Sequence, residues 1–600
     1  MFSKTPPPPA SSPELDESAL ITAAVLVVLT LAALYFSNKA AMPPLKTPKE
    51  LAAAKALRSK LSDPALLVEF GDADYEAVRT GATWDPKLLK PRKKGDNAAR
   101  VWSSVTHGTE TWNMDAAGVP SAICRCATVA DVQAVVKHAA AIQLQHTLCV
   151  AGGRHSHLSM LDDALVLDLS LMRDCVVTNP GPGRPATVTC QGGALNGDAL
   201  MACAPHGLGF TVGAHPGTGL GGLVLQGGHG ALERTTGLSI DSLVSCTVVL
   251  ASGEVVTASV KENTDLFWAL RGGCGNFGVV VSFTFKLHKI GEGGSVMQSQ
   301  RVHLPFAPMV KLLGWPDRAA CIRAWCDAMQ APGLAKEVHG AMIVVCGGPV
   351  IHVEQAFTPT LKEGRDLLEA IPVATTFGKP VDASIAPVSY FHDASFLPFG
   401  PGGDGQLRGC YYQSGLLMEE LPEAAVLAMA TAGAATPGKE GALLITTLGG
   451  AVCEVADDAT AYSHRAAKFY IVIFARWAPS ADAATYAARR ATAKKWVHDT
   501  KAALSPYRIG AYGQLAGSGS AYAVTAPVVK PLSTDEMVVG EEPSATAEVV
   551  SEEEEAHSYV LPGQSGLGWH AEKLKKLRAI KAKYDANDVF VNTDHVAPLG

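Results

Sequence analysis

The residues most able to do chemistry lie in two glycine-rich stretches. The first is Ala151-Gly-Gly-Arg-His-Ser-His157; the second, further along, is Gly217-Thr-Gly-Leu-Gly-Gly-Leu-Val-Leu-Gln-Gly-Gly-His-Gly230. Glycine loses more conformational freedom on ordering than any other residue, so this density implies a backbone that must pass close to something. Main-chain N–H groups with no side chain over them form a cradle for phosphate. His155, at a turn after an apolar run, adds a nucleophilic ring nitrogen beside that cradle. Gly217, Gly219 and Gly222 also satisfy G-x-G-x-x-G, with Asp241 downstream. A nicotinamide site of that kind needs a strand before the motif and a helix opening within it. Here His206 to Pro216 is rich in turn formers, and Gln226-Gly-Gly-His-Gly230 would break a helix, so this reading is the weaker one.

The elements that must hold these stretches alternate in type. Ala122–Cys126 reads as a strand and Thr128–Ala140 as an amphipathic helix with Thr128 as N-cap. His146–Ala151 is a strand running into the first glycine stretch, and Ala164–Leu169 and Ala186–Cys190 are further strands. Val244–Val249 and Glu254–Ser259, joined by Ser252-Gly253, form a hairpin; Asp265–Arg271 is a short helix and Phe277–Leu287 a long strand. This is an α+β pattern. The later chain alternates strand-like runs (Met342–Cys346, Leu443–Leu448, Lys468–Trp477) with an alanine-rich helix, Ala481–Ala503, and closes with a helix at Glu572–Lys583 and a strand at Asp588–Asn592.

The chain has 600 residues, more than one hydrophobic core usually serves. The expected organisation is a tail and apolar segment (1–41), a connector (42–115), an α+β domain (116–291), a second α+β domain (292–532), an acidic loop (533–556) and a closing segment (557–600). Net charge is −7, and the one basic run, Lys90-Pro-Arg-Lys-Lys94, reads as a solvated loop, so nucleic acid is not an expected partner. Ser18 to Asn38 carries no charge and 19–36 is nearly all aliphatic, which predicts one transmembrane helix and a single-pass membrane protein. Lys39, Lys46, Lys49, Lys55, Arg58 and Lys60 follow the segment while Glu14, Asp16 and Glu17 precede it, favouring a cytosolic over a lumenal body. The 13 cysteines show no CxxC pair and no zinc spacing, so no metal is expected.

Taken in order, Gly152-Gly-Arg-His-Ser156, Thr218 to Gly230, Gly237-Leu-Ser-Ile-Asp241, Asp265-Leu-Phe-Trp-Ala-Leu-Arg-Gly-Gly273 and Gly275-Asn-Phe-Gly-Val279 resemble the FAD-binding domain of the vanillyl-alcohol oxidase (PCMH-type) superfamily, in its berberine-bridge-enzyme-like branch. The likeness is strong over 116–291. It is weaker at Gly449-Gly-Ala451, Thr460–Arg465, Lys581-Ala-Lys-Tyr-Asp585, Val589-Phe590 and Asn592. It implies a two-part α+β FAD domain, an α+β substrate domain laying an antiparallel sheet over the flavin, and FAD bonded through its 8α-methyl to His155, with His157 as the fallback. It further implies an FAD-dependent oxidoreductase that oxidises a small alcohol, sugar, phenolic alcohol or amine by hydride transfer to flavin N5. Oxygen or another acceptor would reoxidise the flavin. The alternatives are an NADPH-dependent flavin reductase on the same fold and a flavin-binding protein without turnover.

The resemblance assigns cofactor contacts to Gly152, Gly153, Arg154, His155, Ser156, His215, Pro216, Gly217, Thr218, Gly219, Gly221, Gly222, Gly227, Gly228, Gly230, Asp241, Gly278, Val279 and Asn592. Two departures stand out. His215 occupies the place of the cysteine that makes a second link in some members, so a single link is expected. Trp569-His-Ala-Glu-Lys573 replaces the usual aromatic pair followed by Gly-x-Asn. The group that takes the substrate's hydroxyl proton should come from the second domain, and Tyr411, Tyr412, His464, Arg465 and Tyr512 are the candidates.

Overall fold

The computed structural model describes residues 55–80, 118–142, 148–179, 181, 183–305, 317–372, 382–393, 410–435, 440–477, 482–511, 569–590 and 596–599. The chain divides into Met1–Lys55 and a compact unit, Ala56–Gly600, which holds every element below.

Three sheets make the framework. The first combines β1 (Leu67–Glu69), β2 (Ala122–Arg125), β3 (Leu148–Ala151) and β4 (Leu165–Asp168) in the order β1-β2-β4-β3. β2 and β3 run parallel to β4, and β1 is antiparallel to β2. A strand followed by a parallel neighbour needs a crossover. After β2 the helix Val129–Ala141 begins it, capped reciprocally: the Thr128 hydroxyl accepts from Asp131 N (3.2 Å) and Asp131 accepts from Thr128 N (2.9 Å). β1 lies in the stretch expected to be connector.

The second sheet is antiparallel and holds β5 (Cys175–Thr178), β6 (Thr187–Gln191), β8 (Leu243–Val249), β9 (Val255–Ser259) and β10 (Val279–Lys286) in the order β5-β6-β10-β8-β9. Two short strands, β7 (Leu208–Gly209) and β11 (His288–Lys289), pair beside it. The third sheet has eight strands: β12 (Ser295–His303), β13 (Val338–Val345), β14 (Val350–Ala356), β15 (Asp382–Ser389), β16 (Cys410–Met418), β17 (Glu440–Thr447), β18 (Phe469–Trp477) and β19 (Gly510–Ala511). They run antiparallel in the order β15-β12-β14-β13-β17-β18-β16-β19.

Alternation along these strands splits the third sheet into two faces. Met342, Val344, Tyr412, Leu416, Leu443, Ile445, Ile471 and Ile473 pack with Trp325, Met429 and Val497 from the helices Arg318–Met329, Glu423–Ala434 and Ala483–Leu504. The other face carries Ile343, Tyr411, Gln413, Ala442, Leu444, Tyr470, Val472 and Phe474, which look into a cavity.

The C-terminal helix Ala571–Tyr584 docks on the cofactor part. Lys581, fully buried, donates from Nζ to Asn276 O (2.8 Å), Phe590 O (2.6 Å) and the Asp585 carboxylate (2.6 Å). Residues 585–590 form no strand, contrary to the expectation for that stretch.

The expected membrane helix and single-pass placement require correction. Among the described residues no helix is long and apolar enough to cross a membrane. The apolar run 19–36 lies outside the described residues. Length and apolarity alone supported a span, and nothing in the structure adds to them, so the fold described is α+β without it. The acidic loop, Tyr512 and Asn592 also lie outside the described residues.

Candidate functional site

β3 delivers the chain into Gly152-Gly153, and here the two glycine stretches meet backbone on backbone. A Cβ added to Gly153 would lie 2.1 Å from Gly219 N, and one on Gly219 would lie 2.3 Å from Gly153 N. No side chain fits at either position, which accounts for the glycines physically. The six-residue helix Leu220–Leu225 then opens at Gly219, so the second stretch does contain a helix that the glycines beyond Leu225 had argued against. A Rossmann unit is still absent here, because β7 is only two residues long and the neighbouring sheet is antiparallel.

The first turn is held from below. Arg154 has φ +53°, unusual for a residue with a side chain. Its buried guanidinium donates to Asp168 Oδ2 (2.7 Å) and to Val78 O (2.7 Å), which stabilise the conformation. His155 Nε2 lies 3.1 Å from Gly217 O. A carbonyl only accepts, so Nε2 carries the proton and a neutral ring leaves its lone pair on Nδ1. Burial pulls the His155 pKa down to about 4, so the ring is neutral at neutral pH. His215, whose ring centre is 5.7 Å away, accepts from Gly217 N through Nδ1 (3.1 Å). Burial, and then the neighbouring His155, pull it down to about 3.

These groups border a cavity of ≈ 450 Å³ between the glycine stretches and the third sheet. Of the expected cofactor contacts, Gly152, Gly153, Arg154, His155, Ser156, His215, Thr218, Gly219, Gly221, Gly222, Gly278 and Val279 line it. Pro216, Gly217, Gly227, Gly228, Gly230 and Asp241 are not on its wall. Gly217 O holds His155, and Pro216 O accepts from Gly197 N (2.9 Å). Gly227 and Gly228 accept from Ile240 N (3.1 Å) and Ser239 N (2.9 Å), and a Cβ on Gly230 would strike Val212 O. These residues shape the cradle rather than line it.

The expected proton acceptors separate sharply. Tyr411 faces the cavity. Tyr412, one residue on, points to the helical face, its ring 5.2 Å from that of His498. His464 is buried against Gly510, where an added Cβ would sit 2.3 Å from its ring. Arg465 is tied to Asp241 by two bonds, Nη1 to Oδ2 at 2.7 Å and Nη2 to Oδ1 at 2.8 Å. Both were expected at the site, as base and as cofactor contact. The structure instead makes them a buried ion pair between segments far apart in sequence.

Among the cavity residues that escaped the sequence reading are Gln226, His229, Gln413 and Tyr470. The first two lie inside the second glycine stretch, and that position was the available signal. His229 binds Glu233 through Nδ1 (2.7 Å) and Tyr462 Oη through Nε2 (3.1 Å), and Tyr470 stacks on it at 5.4 Å. Burial raises the Glu233 pKa, with His229 opposing the shift.

A glycine-walled cradle with a neutral histidine at its rim and a sheet over it is the site of a protein that binds a dinucleotide cofactor. Comparison with known proteins specifies which. The model of an FAD binding domain matches residues 120–259. An FAD-linked oxidoreductase of Dictyostelium discoideum is 30% identical over 409 residues, 67% of this chain and 81% of that protein. The xylooligosaccharide oxidase of Thermothelomyces thermophilus is 34% identical over 239 residues, 38% of this chain and 44% of that one. Glucooligosaccharide oxidase from Acremonium strictum, described with a 6-S-cysteinyl, 8α-N1-histidyl FAD, shares the fold with a TM-score of 0.63 at 23% identity, over 84% of this chain and 97% of that one. The chain belongs to the FAD-linked oxidoreductases and shares the fold of a berberine-bridge-enzyme-like protein of Physcomitrella patens (TM-score 0.65 at 18% identity, over 91% of this chain and 99% of that one), and FAD is its cofactor.

Proposed function

We propose that the protein oxidises an alcohol carbon held between the cradle and the third sheet, with FAD tethered through Nδ1 of His155. The meeting of Gly153 and Gly219, backbone on backbone, carries this reading, since it brings both glycine stretches to the cavity wall beside an imidazole whose proton is held on Nε2. FAD, when bound, supplies a two-electron acceptor that dioxygen or another acceptor reoxidises. The chain does the rest. His155 is neutral before the tether forms, as attack through Nδ1 requires, and His215 stays neutral and so places no positive charge against the cofactor ring. With histidine at position 215, no cysteinyl link forms there, and the tether is single.

Tyr411 Oη is the group for the substrate hydroxyl. Burial holds this phenol protonated well above its ordinary pKa, while Arg476, paired with it across β16 and β18, acts in the opposite sense. In the protonated form Tyr411 orients the hydroxyl; in the ionised form it takes its proton. The oxidation rate should therefore climb with pH throughout the range in which the protein is folded.

The test is direct. Acid precipitation of the purified protein should give a yellow pellet, and His155→Ala should move the flavin into the supernatant. A yellow supernatant from the unsubstituted protein would remove the tether from the account. Flavin that no alcohol reduces would leave a binding protein without turnover.

A further inference from the structure

We infer that the substrate alcohol is borne on an apolar, ring-containing group and not on a sugar, an inference that rests on the oxidase reading above. The wall facing the cradle is laid out by register. Leu444 of β17 lies between Ile343 of β13 and Val472 of β18, and Val472 is followed in the row by Gly415 of β16. In the next row Ala442 neighbours Phe474, which neighbours Gln413. Tyr470 and Tyr411 stand at the two ends of this patch. Leu444, Val472, Tyr470 and Phe474 belong to one apolar cluster with Leu417 and Leu448.

Among the described residues, the only polar side chains this sheet presents to the cavity are the Gln413 amide and the two phenols. It presents no carboxylate, guanidinium or ammonium group there. A sugar carries a hydroxyl on nearly every carbon, and each one buried without a partner costs roughly tenfold in affinity. An alcohol with one hydroxyl needs only what Tyr411 and Gln413 provide. The shape agrees with a flat ring. Gly415 and Ala442 leave space next to Val472 and Phe474, and the Tyr411 and Phe474 rings, 5.5 Å apart and tilted by 38°, offer aromatic surface beside it.

The experiment uses the flavin-loaded full chain under anaerobic conditions, mixed separately with cinnamyl alcohol and with xylobiose. Cinnamyl alcohol should bleach the oxidised flavin band and xylobiose should leave it intact. Ala442→Phe, which fills the row beside Phe474, should retain flavin and weaken the response to cinnamyl alcohol at least tenfold. Reduction by xylobiose at equal or lower concentration would overturn the inference. If neither compound reduces the flavin, the oxidase reading fails separately. Even then, a shift of the flavin spectrum by cinnamyl alcohol alone supports the apolar site; a shift by xylobiose, or by neither, overturns it.

Discussion

Replacing Arg465 by Ala should destabilise the protein while leaving the chemistry at the cavity in place. The guanidinium makes two bonds to Asp241 (2.7 and 2.8 Å) and one to Thr460 Oγ1 (3.0 Å), and it lies 5.5 Å over the Tyr462 ring. Its side chain is 5% exposed and that of Asp241 8%. An exposed pair would be worth about 0–1 kcal/mol. At this burial, removing one partner strands the other charge, and the expected loss is about 3–5 kcal/mol. The Leu238 N–H, 2.8 Å from Asp241 Oδ2, remains to soften the loss. Arg465→Lys keeps the charge but not the two-pronged geometry, so it should recover only part of the stability. Because the two residues act as one unit, Asp241→Asn combined with Arg465→Ala should cost less than the sum of the single changes. Urea unfolding of the flavin-loaded protein, followed by tryptophan fluorescence, measures all three. An Arg465→Ala protein that unfolds at the parent's midpoint, yet no longer passes electrons from substrate to flavin, would refute the structural role and return Arg465 to the site.

Other perturbations test the cradle, the wall and the pH response. Gly153→Ala forces a Cβ to within 2.1 Å of Gly219 N, where ordinary contacts need about 3.5–4.0 Å, so the stretches must part and bound flavin should be lost on purification. Gly152→Ala, whose Cβ would meet nothing closer than 3.9 Å, should keep it; full flavin content in the Gly153 variant would contradict the packing argument. Tyr411→Phe should slow anaerobic flavin reduction by tenfold or more, whereas Tyr412→Phe should stay within about twofold, since removing one general acid–base group typically costs about 10²–10⁴. Equal effects from the two would show that the strand face has been misassigned. His339 is buried on β13, and burial, then Arg234, pulls its pKa down to about 3. The unfolded chain binds its proton near the ordinary 6.5. Stability from this residue is therefore complete above about 6.5 and drains as pH falls toward 3. His339→Leu should flatten the urea midpoint over that window, and a slope identical to the parent's would discard the assignment.

Local rules made the cofactor half of the molecule legible. Thr128 marks a helix start as an N-cap residue, to which the structure adds the reciprocal bond with Asp131, and the Ser252-Gly253 turn marks the β8–β9 hairpin. Glycine density located the cradle because glycine there answers a steric demand, Gly153 against Gly219, that no other residue meets. What stayed hidden depends on partners distant in the chain. Nothing near Arg465 announces Asp241, 224 positions away, so the sequence offered Arg465 as a site candidate without its buried partner. Nor could the strand Cys410–Met418 reveal which of Tyr411 and Tyr412 faces the cavity. Both are aromatic and both are buried; the parity is decided by the helices that claim Tyr412, Leu416 and Met418 for their own core. The same parity places Tyr411, Gln413 and Gly415 together on the open side, and with them the apolar character of the wall. The face proposed to meet the substrate is therefore one whose composition only register can assemble. A single residue inserted early in β16 would move Tyr412 and Ser414 onto the cavity and take Tyr411 and Gln413 out of it, changing the chemistry offered to a substrate without altering the cradle.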